Sequence, residues 1–385
     1  MEKNKLILFL ALLFVATIAR PDVETTDRIV LSELASVIPG SGDTYSFTVS
    51  LEGSDTYYTA FEIDLTFPEG LSVAYNKNGK ARVSMVKPSL YPSTTYEEEK
   101  ENGETVEVTG YSHTLSTEMV SSNRLKVIVM STANENFTKT SGALFKVYVQ
   151  ASPYLKPGSN GIGVSAKLVT VTTDVIKHTP KEYTSNTLTV ENSSSLTLAV
   201  SSENQFGTCI LPFNYNLPAD GSLKAYTCSQ CTSEELLLTE VQGKMEAYTP
   251  YILYSPSGFP DKNISGTVDA EKYPEGGIVK QGYLVGTVVQ KELKESTSYV
   301  MQNQGYGALF YSVGETPFVL SAGKCYAELP DGSGARVIRM DDATGIIETE
   351  NVELESENGF DLSGRRVEKL QKGVYIVNGN KVVKQ

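Results

Sequence analysis

Tryptophan is absent from the 385 residues, histidine occurs twice and cysteine four times. The two histidines, His113 and His178, stand in no motif with a serine or cysteine nucleophile, and H-E-x-x-H does not occur. A phosphate loop, a dinucleotide fingerprint and EF-hand spacing are missing too. The Gly-Ser-Gly sequences at Gly40–Gly42 and Gly332–Gly334 lack the G-x-S-x-G elbow of a hydrolase. No long basic run exists, and the formal charge is −13, so a phosphate backbone would be repelled and nucleic acid is not an expected partner. The 46 acidic residues leave a pair of glycosidase carboxylates formally open. Small sandwiches rarely enclose the cleft such a pair needs. The chain is read as non-enzymatic, with no catalytic residue, cofactor or metal.

Long apolar runs are equally scarce. The one that stands out is Leu6–Ile18, preceded by Lys3 and Lys5 and followed by Ala19. It reads as a secretory signal peptide, Met1–Ala19, too short for a membrane span. No cysteine follows it, which argues against a lipoprotein anchor. The expectation is a chain exported through this signal, secreted or held on the outer cell surface, without a membrane span after signal removal. Its remaining length suits two or three domains.

What the chain does have is Tyr (22), Phe (13) and abundant Thr, Ser and Val, the usage of pleated sheets. Apolar and polar residues alternate in Tyr45–Glu52, through Phe47, Val49 and Leu51, and again through Phe61, Ile63, Leu65 and Phe67. Leu125–Met130 is nearly continuously apolar and reads as a strand buried on both faces. Glu62 and Asp64 read as the solvent side of their strand. The insert Tyr91–Glu107, rich in glutamate, reads as a solvated acidic loop. The fold class is therefore all-β: two β-sandwich domains of jelly-roll or Greek-key type, residues 22–195 and 203–341, and a small C-terminal β appendage, 344–385.

Two strings in the first domain carry a resemblance. Thr59–Val73 holds Phe61, Leu65, Pro68 and Gly70; Leu125–Ala151 holds Leu125, Val127, Val129, Gly142, Leu144, Phe145 and Val147. Together they resemble cohesin-like modules, and the resemblance implies a β-sandwich that receives a dockerin-like extracellular protein on a sheet face. The same fold is shared with a carbohydrate-binding family, so a polysaccharide partner is the alternative. Tyr57 and Tyr58 are the leading ring candidates for stacking on a sugar, with Tyr91 and Tyr96 nearby. A structural spacer without ligand is the third reading.

The second domain contains Leu211–Phe213, Ala225–Tyr226, Ala247–Leu253 and Ala322–Tyr326. These phrases resemble the small β domain that often precedes sorting tails in secreted Bacteroidota proteins. All four cysteines lie here, which allows three disulfide connectivities. Cys228 and Cys231 form a C-x-x-C. Redox catalysis would need that motif at a helix start in a βαβ unit, and zinc would need all four cysteines. Cys209 lies in the first strand of this domain and Cys325 in the last, strands that are often neighbours in a sandwich. The expectation is a Cys209–Cys325 disulfide, or four free thiols.

The last 27 residues, Gly359–Gln385, read as short strands at Phe360–Val367 and Gly373–Val377 with a third piece at Lys381–Lys384. Asp361, Leu362, Gly364, Arg365, Val367, Gly373, Tyr375, Gly379 and Lys381 resemble the C-terminal sorting domain of the type IX secretion system of Bacteroidota. That resemblance implies recognition by outer-membrane secretion machinery through the tail.

Overall fold

The computed structural model describes residues 23–342, apart from 88–89, 101–103, 132, 185–187, 233–234, 295–296, 305–306, 315 and 330–336, and four short strands between 359 and 384. The signal-peptide segment Met1–Ala19 lies outside the described residues. The chain is nearly all β, and its helical segments among the described residues are two one-turn 3₁₀ pieces, Ala270–Lys272 and Glu275–Gly277. It divides between Ser195 and Leu196 into two compact units.

Besides the short Val83–Met85, which pairs with Gly142–Ala151 off the main path, the principal sheet of the first unit and a separate hairpin are built from eleven strands. They are β1 (Val23–Leu31), β2 (Tyr45–Glu52), β3 (Ala60–Thr66), β4 (Leu71–Val73), β5 (Ser93–Glu99), β6 (Thr105–Tyr111), β7 (His113–Ser121), β8 (Arg124–Ser131), β9 (Gly142–Ala151), β10 (Gly163–Val171) and β11 (Val175–Thr184). Pairing in the sheet runs in the order β4-β9-β2-β1-β11-β10-β3-β8-β7. The β1–β11 pair is parallel and its neighbours are antiparallel. Alternation does what period-2 side-chain geometry requires. Phe47, Val49 and Leu51 of β2 are buried while Thr48, Ser50 and Glu52 are half-exposed.

So long a path cannot lie flat. The Phe61 ring on β3 stacks on Phe145 on β9, centroids 5.6 Å apart, although these strands are far apart in the pairing order. The sheet therefore curls until its halves face each other across one core, which includes Ile29, Phe47, Phe61, Ile63, Leu65, Val127, Val129, Phe145 and Val147.

Two sequence expectations change here. Strand β8 is not buried on both faces: Leu125, Val127 and Val129 are buried, but Lys126, Ile128 and Met130 are only partly so. The insert Tyr91–Glu107 is not a loop. Its strands β5 and β6 form an antiparallel hairpin in which Tyr96 faces Val108 and Glu97 faces Glu107. Every residue of β5 is exposed, so the insert is solvated as expected, yet it is ordered by backbone pairing. Gly110 makes room for the Tyr96 ring, whose edge would lie 3.2 Å from a Cβ at that position.

The second unit is built on β12 (Phe206–Ile210), β13 (Lys224–Cys231), β14 (Glu235–Glu240), β15 (Pro250–Tyr254), β16 (Ile278–Gln281), β17 (Leu284–Thr287), β18 (Ser298–Asn303), β19 (Ala308–Ser312), β20 (Lys324–Glu328) and β21 (Val337–Asp342). Their order is β12-β15-β13-β14-β21-β19-β18-β20-β17-β16. Tyr226, Cys228, Leu236, Leu238 and Ile252 from one half pack with Leu284, Tyr299, Phe310 and Ala327 from the other. Backbone bonds tie the halves at their margins: Ile210 N–H donates to Gly323 C=O at 3.1 Å, and Tyr283 N–H to Cys228 C=O at 3.0 Å.

The tail pairs as a four-stranded sheet of β22 (Gly359–Asp361), β23 (Arg366–Val367), β24 (Gly373–Val377) and β25 (Asn380–Lys384), in the order β23-β22-β24-β25. Phe360–Val367 is thus a hairpin rather than one strand, with Phe360 opposite Arg366. Of the sorting residues, Asp361 faces Tyr375, and Gly373 and Lys381 lie on paired strands. Leu362, Gly364, Arg365 and Gly379 lie outside the described residues.

Candidate functional site

The outward side of β10-β3-β8-β7 is a patterned surface. Registers place Ser165, Asp64, Lys126 and Glu118 in one row across the four strands, and Lys167, Glu62, Ile128 and Ser116 in the next. A third row runs Val169, Ala60, Met130 and Thr114. Lys167, Ser165, Arg124, Thr114, Ser116 and Glu118 are exposed, so this side meets solvent. Lys126 Nζ lies 2.6 Å from Glu62 Oε1, and Arg124 Nη2 lies 2.9 Å from Asp64 Oδ2. The Glu62 hydrogen bond, helped by its charge, raises the Lys126 pKa above its ordinary value against the opposing effect of burial. Exposed and partly exposed pairs of this kind contribute little to stability. Their consequence is positional: the charged tips are tied to one another, and Glu62 shares a row with the apolar Ile128. Asp64 Oδ1 is buried without a hydrogen-bond partner.

Sequence reasoning placed Glu62 and Asp64 on the solvent side, where they stand. It missed Ile128 and Met130. The signal was the apolar run itself, which meant one buried face plus apolar residues on an outward face, not two buried faces.

The proposed sugar-stacking rings fare differently. Tyr58 is fully buried, and its hydroxyl donates to Asp27 Oδ2, which also accepts from Thr25 Oγ1 at 2.8 Å. Burial, and then Asp27, push the Tyr58 phenol well above its ordinary pKa. With no ring face open, Tyr58 cannot stack on a sugar. Tyr91 is buried too, donating to the Leu144 carbonyl at 2.7 Å. Tyr57 (52 % exposed) and Tyr96 (51 % exposed) remain available.

His113 belongs to the first unit's interior, and His178 is half-buried against the Tyr58 ring. His113 is 3 % exposed, between the rings of Tyr91 and Phe137. Its Nε2 lies 3.0 Å from the Thr59 carbonyl, which can only accept, so Nε2 carries the proton. Nδ1 then accepts from the Ser112 hydroxyl at 2.9 Å. This Ser–His contact was not visible as a motif. With its ring enclosed and both nitrogens engaged in the core, the histidine has no room for a substrate. His178 Nε2 lies 2.9 Å from Thr170 Oγ1, and its Nδ1 is buried without a partner.

Burial lowers the pKa of both, outweighing the Thr59 carbonyl and Glu135 at His113 and Asp27 at His178. A depressed folded pKa means that the unfolded chain binds more protons below its own value. The stability is therefore complete above about 6.5 and is lost as pH falls through that value toward the folded pKa. The melting temperature of the first unit is expected to drop between about pH 7 and 5.5, and to drop less in His113→Gln. Identical slopes in scanning calorimetry would contradict this.

The four cysteines are free thiols. Cys325 Sγ–H donates to the Cys209 carbonyl at 3.0 Å, so the two expected partners are neighbours, both buried. Burial pushes Cys209 up to about 12 and Cys325 well above its ordinary value. Among the described residues no group of three or more His, Cys, Asp or Glu side chains converges to hold a metal. No helix there is long and apolar enough to cross a membrane.

No family model matches the chain, and no curated protein matches its sequence. Solved structures similar to it include cohesin modules. A non-cellulosomal cohesin from Archaeoglobus fulgidus is 14 % identical with a TM-score of 0.28, the match covering 43 % of this chain and 91 % of that one. The sixth cohesin of the Acetivibrio cellulolyticus scaffoldin B, solved in complex with a Cel5 dockerin, is 12 % identical at TM-score 0.29, covering 43 % and 100 %. A type III cohesin from the cell-surface anchoring scaffoldin of Ruminococcus flavefaciens is 12 % identical at TM-score 0.28, covering 43 % and 88 %. Likenesses of this size carry no weight for function, which rests on the residues themselves.

Proposed function

We propose that the chain is an exported, non-catalytic adaptor whose first unit docks an extracellular protein on the outward face of β10, β3, β8 and β7. The observation that carries this is the partial exposure of Ile128 and Met130 next to the Lys126–Glu62 and Arg124–Asp64 pairs on that face. Apolar side chains bordered by charged and polar ones on a face that meets solvent match the apolar core and polar rim of protein interfaces. The cohesin-like motif residues are mostly inward, so they support the scaffold, and the outward set decides the partner. A polysaccharide partner would rely on Tyr57 and Tyr96, because Tyr58 and Tyr91 are buried. The Met1–Ala19 segment and the sorting-like tail support export through a signal peptide and handover to outer-membrane secretion machinery.

The test is capture from culture fluid on the immobilised protein, run beside retention in polysaccharide gels. Ile128→Lys replaces one of these apolar side chains with a charge and is expected to weaken capture at least about tenfold, or ~1.4 kcal/mol, while the melting temperature holds. Tyr57→Ala should leave capture unchanged. Gel retention that vanishes in Tyr57→Ala would favour the glycan reading, and neither binding would leave a spacer. Separately, deletion of Gly359–Gln385 is expected to strand the protein in the periplasm. Unchanged surface display would mean the tail is not an export signal.

A further inference from the structure

A C-x-x-C on a regular strand puts its two side chains on opposite faces, since residues three apart differ by an odd number of steps. Strand β13 is not regular there. Cys228 faces Leu238, but Gln230 faces Leu237 and Cys231 faces Leu236, so Ser229 is an extra residue bulged out of the ladder. The bulge resets the alternation. Cys231 now projects on the same side as Cys228, opposite Leu236 and Leu238, which are both buried, and both cysteines pack in one apolar cluster.

The bulge is fixed by its surroundings. Tyr283 N–H takes the Cys228 carbonyl, and Gly282, at φ 59°, comes so near that a Cβ would sit 2.1 Å from that oxygen. The thiols currently point at separate carbonyls: Cys228 Sγ–H to Gln230 O at 3.2 Å and Cys231 Sγ–H to Thr232 O at 2.8 Å. Cys231 is partly exposed while Cys228 is buried. One thiol is therefore reachable from solvent and the second waits behind it.

We propose that Cys228 and Cys231 are a disulfide-forming pair, closed by exchange with an external disulfide such as oxidised glutathione. The Cys231 thiolate attacks one sulfur of that disulfide and expels one thiolate. Cys228, having lost its proton, then attacks the Cys231 sulfur of the mixed disulfide and expels the second glutathione as its thiolate. One protein S–S bond replaces two S–H bonds, and the external disulfide receives the two electrons and two protons. Burial raises Cys228 to about 12, with the nearby Cys231 adding to the effect, and burial raises Cys231 as well. Burial outweighs the backbone groups of Gln230 and Leu237, which favour the Cys228 thiolate, so the pair lacks the feature that makes oxidoreductase motifs strong oxidants, and the closed form is the resting one under oxidising conditions. Cys209 and Cys325 are close enough to interact, but both are buried, and no such entry sulfur is available to them in the folded chain.

The experiment equilibrates the full folded chain with oxidised and reduced glutathione, quenches with acid, alkylates and digests with trypsin. Cleavage after Lys224 and Lys244 gives one peptide with both Cys228 and Cys231 and neither other cysteine. That peptide is expected to lose the mass of two hydrogens and to take no alkyl group in most molecules. In Cys231→Ser it should instead stay reduced, with Cys228 alkylated only after unfolding. Double alkylation of the wild-type peptide under oxidising conditions would overturn the proposal. So would a glutathione adduct at Cys231 that never resolves, or a Cys209–Cys325 cross-link formed while the pair stays open.

Discussion

Phe61→Ala is expected to destabilise the first unit by about 3–5 kcal/mol, the range for removing a large side chain from a packed core. The ring is fully buried, stacked on Phe145 and edge-on to Phe137 at 6.2 Å. Its position makes the loss more than local, because Phe61 and Phe145 belong to strands that meet only across the core. For a unit of this size, the melting temperature should fall by roughly 6–20 °C at about 2–4 °C per kcal/mol. With no tryptophan in the chain, circular dichroism or tyrosine fluorescence is the readout. Phe61→Leu keeps the hole mostly filled and should cost clearly less. Loss below about 1 kcal/mol in the alanine variant would mean that the two layers are not held by this contact.

Tyr58→Phe is expected to cost about 1–3 kcal/mol although it removes a single oxygen. Asp27 is 2 % exposed and accepts from the Tyr58 hydroxyl and from Thr25. Taking one donor away leaves a buried carboxylate with less compensation for its lost water, and that asymmetry exceeds the value of an ordinary hydrogen bond. Tyr57→Phe, next door and half-exposed, should change stability by less than about 0.5 kcal/mol. Equal denaturation midpoints for the two variants would refute the assignment of Tyr58 to a core network. The pair of variants also separates roles: a ring that stacks on sugar tolerates loss of its hydroxyl, whereas a ring that serves Asp27 does not.

These two residues show where sequence reading succeeds and stops. Phe61 was legible as core because its neighbours Glu62 and Asp64 are polar and the alternation is clean, and the same reasoning found β2. Tyr57 and Tyr58 are chemically identical, and which of them turns inward is decided by Asp27, a partner 31 residues away that no local pattern announces. Strand β8 failed for the opposite reason. Ile128 and Met130 are apolar on an outward face, so the pattern that distinguishes one buried face from two was erased at the very place where a partner would dock. The bulge at Ser229 was equally invisible, since the spacing of a C-x-x-C is the same whether its strand is regular or not. The acidic hairpin reads as a loop in sequence because runs of glutamate resemble solvated coil, and only its backbone pairing shows otherwise.

That hairpin has a consequence for how copies of the chain behave toward one another. Among the described residues β5 and β6 pair only with each other, so each presents an unpaired backbone edge to solvent. Open edges of this kind are templates onto which another molecule's strand can add, the first step toward edge-to-edge aggregation. Here each edge carries its own repulsion: Glu97, Glu98 and Glu99 line β5, and Glu107 stands on β6 directly opposite Glu97. An identical hairpin approaching along β5 would bring the run Glu97–Glu99 against like charges. That like-charge repulsion disfavours the pairing of two copies along this edge. Replacing these glutamates with glutamine would remove that protection and leave two β-strands with nothing to keep them apart.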